Sequence, residues 1–108
     1  MIKHSRVVFV SDKLEKLFKS LPEEEDLKKY MLRAIEDIKE NAFCGIRIPK
    51  RLFPIDYIKR YNVTNLWKYD LPDGWRLIYT VISPDKVEIV SVILEWFNHK
   101  NYERRFNY

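Results

Sequence analysis

Residues 66–96 read LWKYDLPDGWRLIYTVISPDKVEIVSVILEW, and this stretch decides the fold class. Three runs rich in β-branched and aromatic residues predict strands, at 66–69, 75–82 and 87–96. The connections at 71–74 and 83–86 are predicted turns, because proline presets φ and glycine tolerates a positive φ. Consecutive strands joined by tight turns form an antiparallel meander. The last run is apolar on both faces in its middle, which favours a position inside the sheet.

The residues before 46 predict one strand followed by two helices. Residues 6–10 form a short β-branched and aromatic run. Asp12 is the predicted N-cap of the first helix, with Glu15 completing a capping box, and Pro22 ends that helix or starts the next. Gly45 is the predicted stop of the second helix. Apolar residues recur at helical spacing in both helices, at Leu14, Leu17, Phe18 and Leu21 and then at Leu27, Tyr30, Met31, Ala34, Ile35, Ile38 and Ala42.

The order strand, helix, helix and three strands predicts a two-layer α+β fold. The helical hairpin packs on one face of a mostly antiparallel sheet. The other face needs cover from residues 46–65, from the C-terminal tail or from another molecule. Residues 46–65 are the least clear part, with 55–61 as one helical turn or two. A chain of 108 residues with 46% hydrophobic residues can form one core, so a single domain over 1–108 is expected.

Composition excludes several classes of protein. Two glycines, Gly45 and Gly74, cannot form a phosphate-binding loop or a dinucleotide fingerprint. One cysteine, Cys44, excludes an internal disulfide and a Cys-paired zinc site, and no metal site or cofactor is expected. No apolar run is long enough for a membrane span or a signal-peptide core. We therefore expect a cytoplasmic protein without a membrane partner.

The net charge of +4 is concentrated in the middle of the chain. Residues 46–69 carry six basic residues against one acidic residue, Asp56, with aromatic residues between them. Lysine and arginine bind phosphates and aromatic faces stack on unpaired bases, so a polyanion such as RNA fits this segment. The alternative is a solvated loop whose aromatic residues belong to the core. The candidate RNA-binding residues of this segment and of the tail are Lys50, Arg51, Lys59, Arg60, Lys100, Arg104 and Arg105.

The second half of the chain resembles the RelE/ParE superfamily of toxin–antitoxin proteins. The resemblance is carried by NLWKYDLPDGWRLIYTV at 65–81 and by VEIVSVILEWFNHKNYERRF at 87–106. It comprises a strand with a basic residue, a turn, an aromatic-Arg-Leu-Ile-Tyr strand, and a tail with basic residues, His and Tyr. The first half agrees with the family in element order only. The resemblance implies a cytoplasmic toxin that a cognate antitoxin neutralises, with a toxin–antitoxin hetero-oligomer as one form.

Two toxin activities follow from the resemblance. RelE-like members cleave messenger RNA in the ribosomal A site without a metal ion. ParE-like members inhibit DNA gyrase and cut nothing themselves. The first hypothesis for this chain is a RelE-like endoribonuclease whose partners are mRNA and the ribosome. A ParE-like gyrase inhibitor and a non-catalytic RNA- or protein-binding member of the fold are the alternatives.

The resemblance implies four catalytic residues. Metal-free RNA cleavage needs a base for the 2′-hydroxyl proton, an acid for the leaving 5′-oxygen and cations for the phosphorane. Arg76 would hold the scissile phosphate, and Lys68 would contact the phosphate or form part of the base. Tyr102 would stack on or orient a nucleobase, and His99 could transfer protons near neutral pH.

Each of these residues also has a structural interpretation. Arg76 could form an ordinary salt bridge to Asp70, to Asp73 or to an acidic residue of the tail, and Lys68 could be an exposed strand lysine. Tyr102 could anchor the tail in the core, and His99 could be a solvated tail residue.

The tail departs from the RelE pattern at one point. Many RelE-like members carry a second catalytic arginine after the last strand, whereas this chain has EWFNHK at 95–100. Lys100 supplies the charge but not the bidentate geometry of a guanidinium. Arg104 and Arg105 are candidates to reach back from a C-terminal turn. The departure bears on catalytic strength more than on RNA binding.

Overall fold

The structure is a computed structural model, and it describes residues 2–85 and 87–106. Lys86, the last residue of the predicted 83–86 turn, lies outside the described residues. The strands are β1 (Arg6–Phe9), β2 (Ile46–Arg47), β3 (Trp67–Asp70), β4 (Arg76–Ile82) and β5 (Val90–Phe97). The α-helices are α1 (Asp12–Lys19), α2 (Asp26–Glu40), α3 (Ile55–Tyr61) and α4 (His99–Phe106). The α+β class predicted from the sequence is confirmed.

The five strands form one mixed sheet in the order β1-β5-β4-β3-β2. The strands β3, β4 and β5 form the expected antiparallel meander, and β5 has the expected interior position. At one edge β1 pairs in parallel with β5, and at the other edge β2 pairs antiparallel with β3. Because β1 and β2 lie at opposite edges, α1 and α2 carry the chain across one face of the sheet.

The helical hairpin buries most of its predicted apolar residues on that face, but Leu17 of α1 is 56% exposed, contrary to the prediction. Met31, Ala34 and Ile38 of α2 are fully buried and share one side of the helix through their spacing of three and four residues. They pack in one cluster with Phe18 of α1 and with sheet residues such as Tyr79. The apolar side of the helices and the apolar residues on this face of the sheet therefore form the first core.

A second core lies on the opposite face of the sheet. It contains Tyr57 of α3, together with Tyr102 and Phe106 of α4. The sheet and the segments beside it contribute Ile48, Leu66, Ile78, Leu94 and Phe97. The two-layer prediction is therefore wrong, because the tail forms a helix and, together with residues 46–65, covers the second face. Residues 46–65 and the C-terminal tail, the two segments predicted as possible cover for this face, both pack on it.

A β-bulge in β5 shapes this second core. Ile78 pairs with Glu95 and Tyr79 pairs with Ile93, so Leu94 is the extra residue of the ladder. Leu94 packs in the second core, and the next residue, Glu95, accepts a hydrogen bond from Arg105 of α4 at 3.0 Å. The bulge thus turns the Glu95 carboxylate toward α4.

Two predicted helix ends are corrected. Ser11, not Asp12, is the N-cap of α1, because its hydroxyl accepts the Leu14 N–H at 3.1 Å. The predicted Asp12–Glu15 capping box is therefore wrong. The second helix ends at Glu40, before Gly45. Gly45 instead packs so closely that an added Cβ would lie 2.6 Å from the carbonyl oxygen of Lys68.

Tyrosine hydroxyls tie α2 and the loop after it to the sheet. The Tyr69 hydroxyl on β3 donates to the Asp37 carboxylate on α2. The Tyr79 hydroxyl on β4 donates to the Ala42 carbonyl oxygen at 2.8 Å and accepts the Gly45 N–H at 3.1 Å. Burial, together with the hydrogen bond to Asp37, raises the pKa of Tyr69 to about 12. Burial also raises the pKa of Tyr79.

These hydroxyls predict a loss of stability at alkaline pH. The folded protein keeps protons on Tyr69 and Tyr79 that the unfolded chain releases near pH ~10. Their contribution to the free energy of unfolding is complete below that pH and falls as the pH rises above it, and the part due to Tyr69 is lost as the pH approaches 12. We expect a fall of less than ~1.4 kcal/mol per pH unit for each tyrosine, since Tyr69 is only half-buried. Urea denaturation between pH 9 and pH 12 measures it, and a constant stability over that range would contradict it.

Candidate functional site

Three charged residues meet on the second face, where β3 ends and β4 begins. Asp70 is the register partner of Arg76, and Lys68 pairs with Ile78. Alternation along the strands places Lys68, Asp70 and Arg76 on the face that carries Ile78. We call these three residues the cationic cluster. The antiparallel pairing of β3 with β4 thus brings two of the predicted catalytic residues together.

Asp70 is the common partner of the two cations. Lys68 Nζ lies 3.2 Å from Asp70 Oδ1, and Arg76 Nε lies 3.0 Å from the same oxygen. The Lys68 and Arg76 side chains are 21% and 18% exposed, whereas that of Asp70 is 44% exposed. Partial burial lowers the local dielectric and strengthens these interactions. Two partly buried positive charges therefore face one more exposed carboxylate.

The Arg76 guanidinium keeps one hydrogen-bonding group unpaired. Its Nη1 donates to the Trp75 carbonyl oxygen at 3.2 Å. Its Nε is within ion-pair distance of Asp70, but the N–H does not point at that oxygen, so this buried donor has no acceptor among the described residues. A buried donor without an acceptor costs ~1–3 kcal/mol. The site therefore offers an N–H to an oxygen placed differently from that of Asp70.

The Tyr102 ring contacts both cations of the cluster. Its ring centroid lies 5.6 Å from Lys68 Nζ and 5.5 Å from Arg76 Cζ, within cation–π range. The residue is 3% exposed and packs against Phe106, with ring centroids 4.7 Å apart. Tyr102 thus joins the cationic cluster to the second core. Because the ring is buried, stacking on a nucleobase requires α4 to move.

His99 lies at the start of α4, beside the turn that precedes Arg76. An added Cβ at Gly74 would lie 3.2 Å from the Cβ of His99, so the two residues pack closely. The His99 Nε2 lies 2.5 Å from a Glu103 carboxylate oxygen, and the imidazole is 62% exposed. The Glu103 carboxylate therefore orients the imidazole. An exposed imidazole oriented by a carboxylate is a plausible group for proton transfer.

The basic residues of the tail separate into different places. Arg105 donates to Asp56 at 3.1 Å and to Glu95 at 3.0 Å, which fixes it between α3 and β5. It therefore does not reach back to the cationic cluster. Arg104 lines a groove of about 450 Å³ together with Arg51, next to Phe106 at the far end of α4. The remaining candidate RNA-binding residues are exposed, at Lys50, Lys59, Arg60 and Lys100.

Comparisons of the chain with protein-family models, with curated proteins and with solved structures gave no match. In the described ranges no helix combines the length and the apolar character that crossing a bilayer requires.

Proposed function

We propose that this chain is a RelE-like toxin that cleaves messenger RNA in the ribosomal A site. One observation carries the proposal. Lys68 and Arg76, which the resemblance assigns to the scissile phosphate, lie within 3.2 Å and 3.0 Å of one carboxylate oxygen. A guanidinium and an ammonium that converge on one oxygen have the charge and the spacing to hold a phosphate.

In the proposed reaction the RNA supplies its own nucleophile. The 2′-hydroxyl oxygen attacks the adjacent phosphorus, and the bond from phosphorus to the 5′-oxygen breaks. The products are a 2′,3′-cyclic phosphate and a free 5′-hydroxyl. Arg76 and Lys68 stabilise the additional charge of the phosphorane. A base takes the 2′-hydroxyl proton and an acid gives a proton to the leaving 5′-oxygen, so the two transfers balance. His99, oriented by Glu103 at 2.5 Å, serves as one of these two groups, and each such transfer contributes roughly 10²–10⁴-fold.

The proposal includes a cytoplasmic location and a cognate antitoxin. One edge of the sheet offers a surface on which an antitoxin segment can pack. The strand β2 ends the sheet at that edge, and Phe43, Ile46 and Ile82 are exposed apolar residues there and nearby. An exposed apolar surface of this kind is typical of sites for partner proteins.

A toxin that binds its target without cleaving it is the second candidate. In the described part of the chain no second arginine joins Lys68 and Arg76, and Arg105 is held by Asp56 and Glu95. A ParE-like inhibitor of DNA gyrase needs no such arginine. The absence of a second arginine beside Lys68 and Arg76 also fits a member of the fold that binds RNA or protein without cleaving it.

Primer extension on a messenger RNA held in a programmed ribosome tests the proposal. The purified protein is expected to make discrete cuts at the A-site codon, and EDTA is expected to leave them unchanged. The fragments should carry a cyclic phosphate and a 5′-hydroxyl. Folded protein that makes no cuts on ribosomes from its own source contradicts the proposal. Inhibition of gyrase supercoiling by the same preparation would then favour the binding-only toxin.

A further inference from the structure

We propose that the cationic cluster is an anion site that Asp70 occupies from within the chain. The Asp70 carboxylate lies where an oxygen of a phosphate ester binds between Lys68 and Arg76, and it gives way when the phosphate enters. Only the choice of an RNA phosphodiester as the natural occupant depends on the proposed function. The anion site itself follows from the contacts within the cluster.

Asp70 contacts both cations through one oxygen but leaves the Arg76 Nε–H without an acceptor. A single oxygen, Oδ1, lies 3.2 Å from Lys68 Nζ and 3.0 Å from Arg76 Nε. Asp70 and Arg76 are register partners on adjacent strands, and the aspartate side chain is short. The carboxylate therefore reaches the guanidinium by distance but not by angle, which leaves the buried Nε–H without an acceptor. A tetrahedral phosphate approaching from solvent has oxygens that can accept this N–H while also contacting Lys68.

The Asp70 carboxylate is more exposed than the two cations that it contacts. Lys68 and Arg76 are about one-fifth exposed and lie over the buried Tyr102 ring, which holds them in place. The Asp70 side chain is 44% exposed, so water can solvate its carboxylate once a phosphate has replaced it between the two cations. The movable member of the cluster is therefore the carboxylate. When it turns away, two cations remain for an incoming anion.

The charges of the cluster do not balance. One carboxylate against two cations leaves the cluster with a formal excess of one positive charge. Asp70 stabilises the partly buried cations while the site is empty, because buried charges without a partner are strongly unfavourable. It also competes with any anion that enters. A site of this kind binds isolated phosphate weakly and holds a phosphodiester that is positioned by other contacts.

The test compares anion binding by wild-type protein and Asp70→Asn. The amide keeps the shape of the carboxylate and an oxygen for Lys68, but it removes the competing charge. Inorganic phosphate and a short 2′-O-methyl RNA, which cannot be cleaved, are titrated by calorimetry. We expect Asp70→Asn to bind each probe at least ~5-fold more tightly, the factor that one unit charge at about 4 Å produces even in bulk water. Adding Arg76→Ala to Asp70→Asn should remove the gain.

Asp73→Asn is the matched control. Asp73 lies in the turn that follows Asp70, but its carboxylate accepts a hydrogen bond from the Tyr30 hydroxyl at 3.1 Å and is not part of the cluster. This variant should bind both probes as the wild type does. Unchanged or weaker binding by folded Asp70→Asn would overturn the proposal and leave Asp70 as a structural brace.

A second measurement does not depend on the folding of any variant. In wild-type protein, saturating phosphate should shift the carboxyl carbon resonance of Asp70 and the side-chain signals of Arg76. An unchanged Asp70 resonance at saturation overturns the proposal.

The nuclease proposal and the anion-site proposal can fail independently. If wild-type protein makes no cuts but Asp70→Asn tightens phosphate binding, the anion site stands; if cuts occur without tightening, only the anion-site inference fails.

Discussion

Arg76→Ala is expected to slow cleavage of ribosome-bound messenger RNA by at least ~100-fold, the usual loss when one preorganised donor to a developing oxyanion is removed. Arg76 supplies a guanidinium that is 18% exposed and has an unpaired N–H. Alanine removes both the charge and this donor. Cleavage rates from primer extension measure the effect, and circular dichroism checks the fold. Folding should survive, because Arg76 is the first residue of β4 and its loss leaves Lys68 to pair with Asp70.

Two further variants sharpen this experiment. Arg76→Lys keeps the charge but loses the planar fork, so it should recover only part of the rate. Arg6→Ala is the control, because Arg6 is an exposed arginine on edge strand β1 that pairs with Glu88 at 3.0 Å. It should cut at the wild-type rate. If Arg76→Ala also cuts at the wild-type rate, Arg76 is not part of a catalytic site.

The binding-only alternative predicts a different result for the same variant. Without chemistry, Arg76→Ala should weaken the affinity for the target by ~1.5–3 kcal/mol, the range for a lost hydrogen bond to a charged group. No cleavage would be seen with either protein. A gel-shift assay with RNA and a supercoiling assay with gyrase distinguish the two binding targets.

The meander of β3, β4 and β5 could be predicted from the sequence because its signals are local. Alternating residues and proline-containing turns specify each strand and its immediate partner. The parallel pairing of β1 with β5 joins residues that are far apart in the chain, so no local sequence pattern predicts this pairing. The strand β2 has two residues, too few for a periodicity to appear.

The tail helix α4 was missed although the sequence contains signals for it. The Asn98 side chain accepts the Asn101 N–H at 2.9 Å, which is the contact of an N-cap residue. Tyr102 and Phe106 are spaced by four residues, so they share one side of a helix. Most residues around them are charged or polar, so two apolar residues alone are too weak a pattern to predict a helix from the sequence. The burial of Tyr102 depends on this helix and could not be inferred without it.

The candidate site was predictable in part. Lys68 and Arg76 came from the family resemblance, and antiparallel pairing brings them together. The position of Asp70 between them depends on the strand register, which a turn of uncertain type does not specify. The pairing of His99 with Glu103 follows from helical spacing, but only once α4 is known.

Gly45→Ala is expected to lower the free energy of unfolding by ~2–4 kcal/mol, from overpacking and a disturbed hydrogen bond. The new Cβ would lie 2.6 Å from the carbonyl oxygen of Lys68 and 2.8 Å from the Tyr79 hydroxyl. Contacts under 3.0 Å require one group to move, and the nearest one is backbone. Urea denaturation at neutral pH measures the loss. A change below ~0.5 kcal/mol, as for an ordinary surface substitution, would contradict it.

Tyr79→Phe separates the two contacts in a double-mutant cycle. Removing the hydroxyl relieves the 2.8 Å contact but leaves the 2.6 Å contact with Lys68. If the backbone contact dominates, Gly45→Ala should be nearly as destabilising in the Tyr79→Phe background as in the wild type. The strand β3 must then shift at Lys68 to admit the methyl group. Because Lys68 belongs to the cationic cluster, Gly45→Ala should also slow RNA cleavage, whereas Tyr79→Phe alone should lower stability with little effect on the cleavage rate.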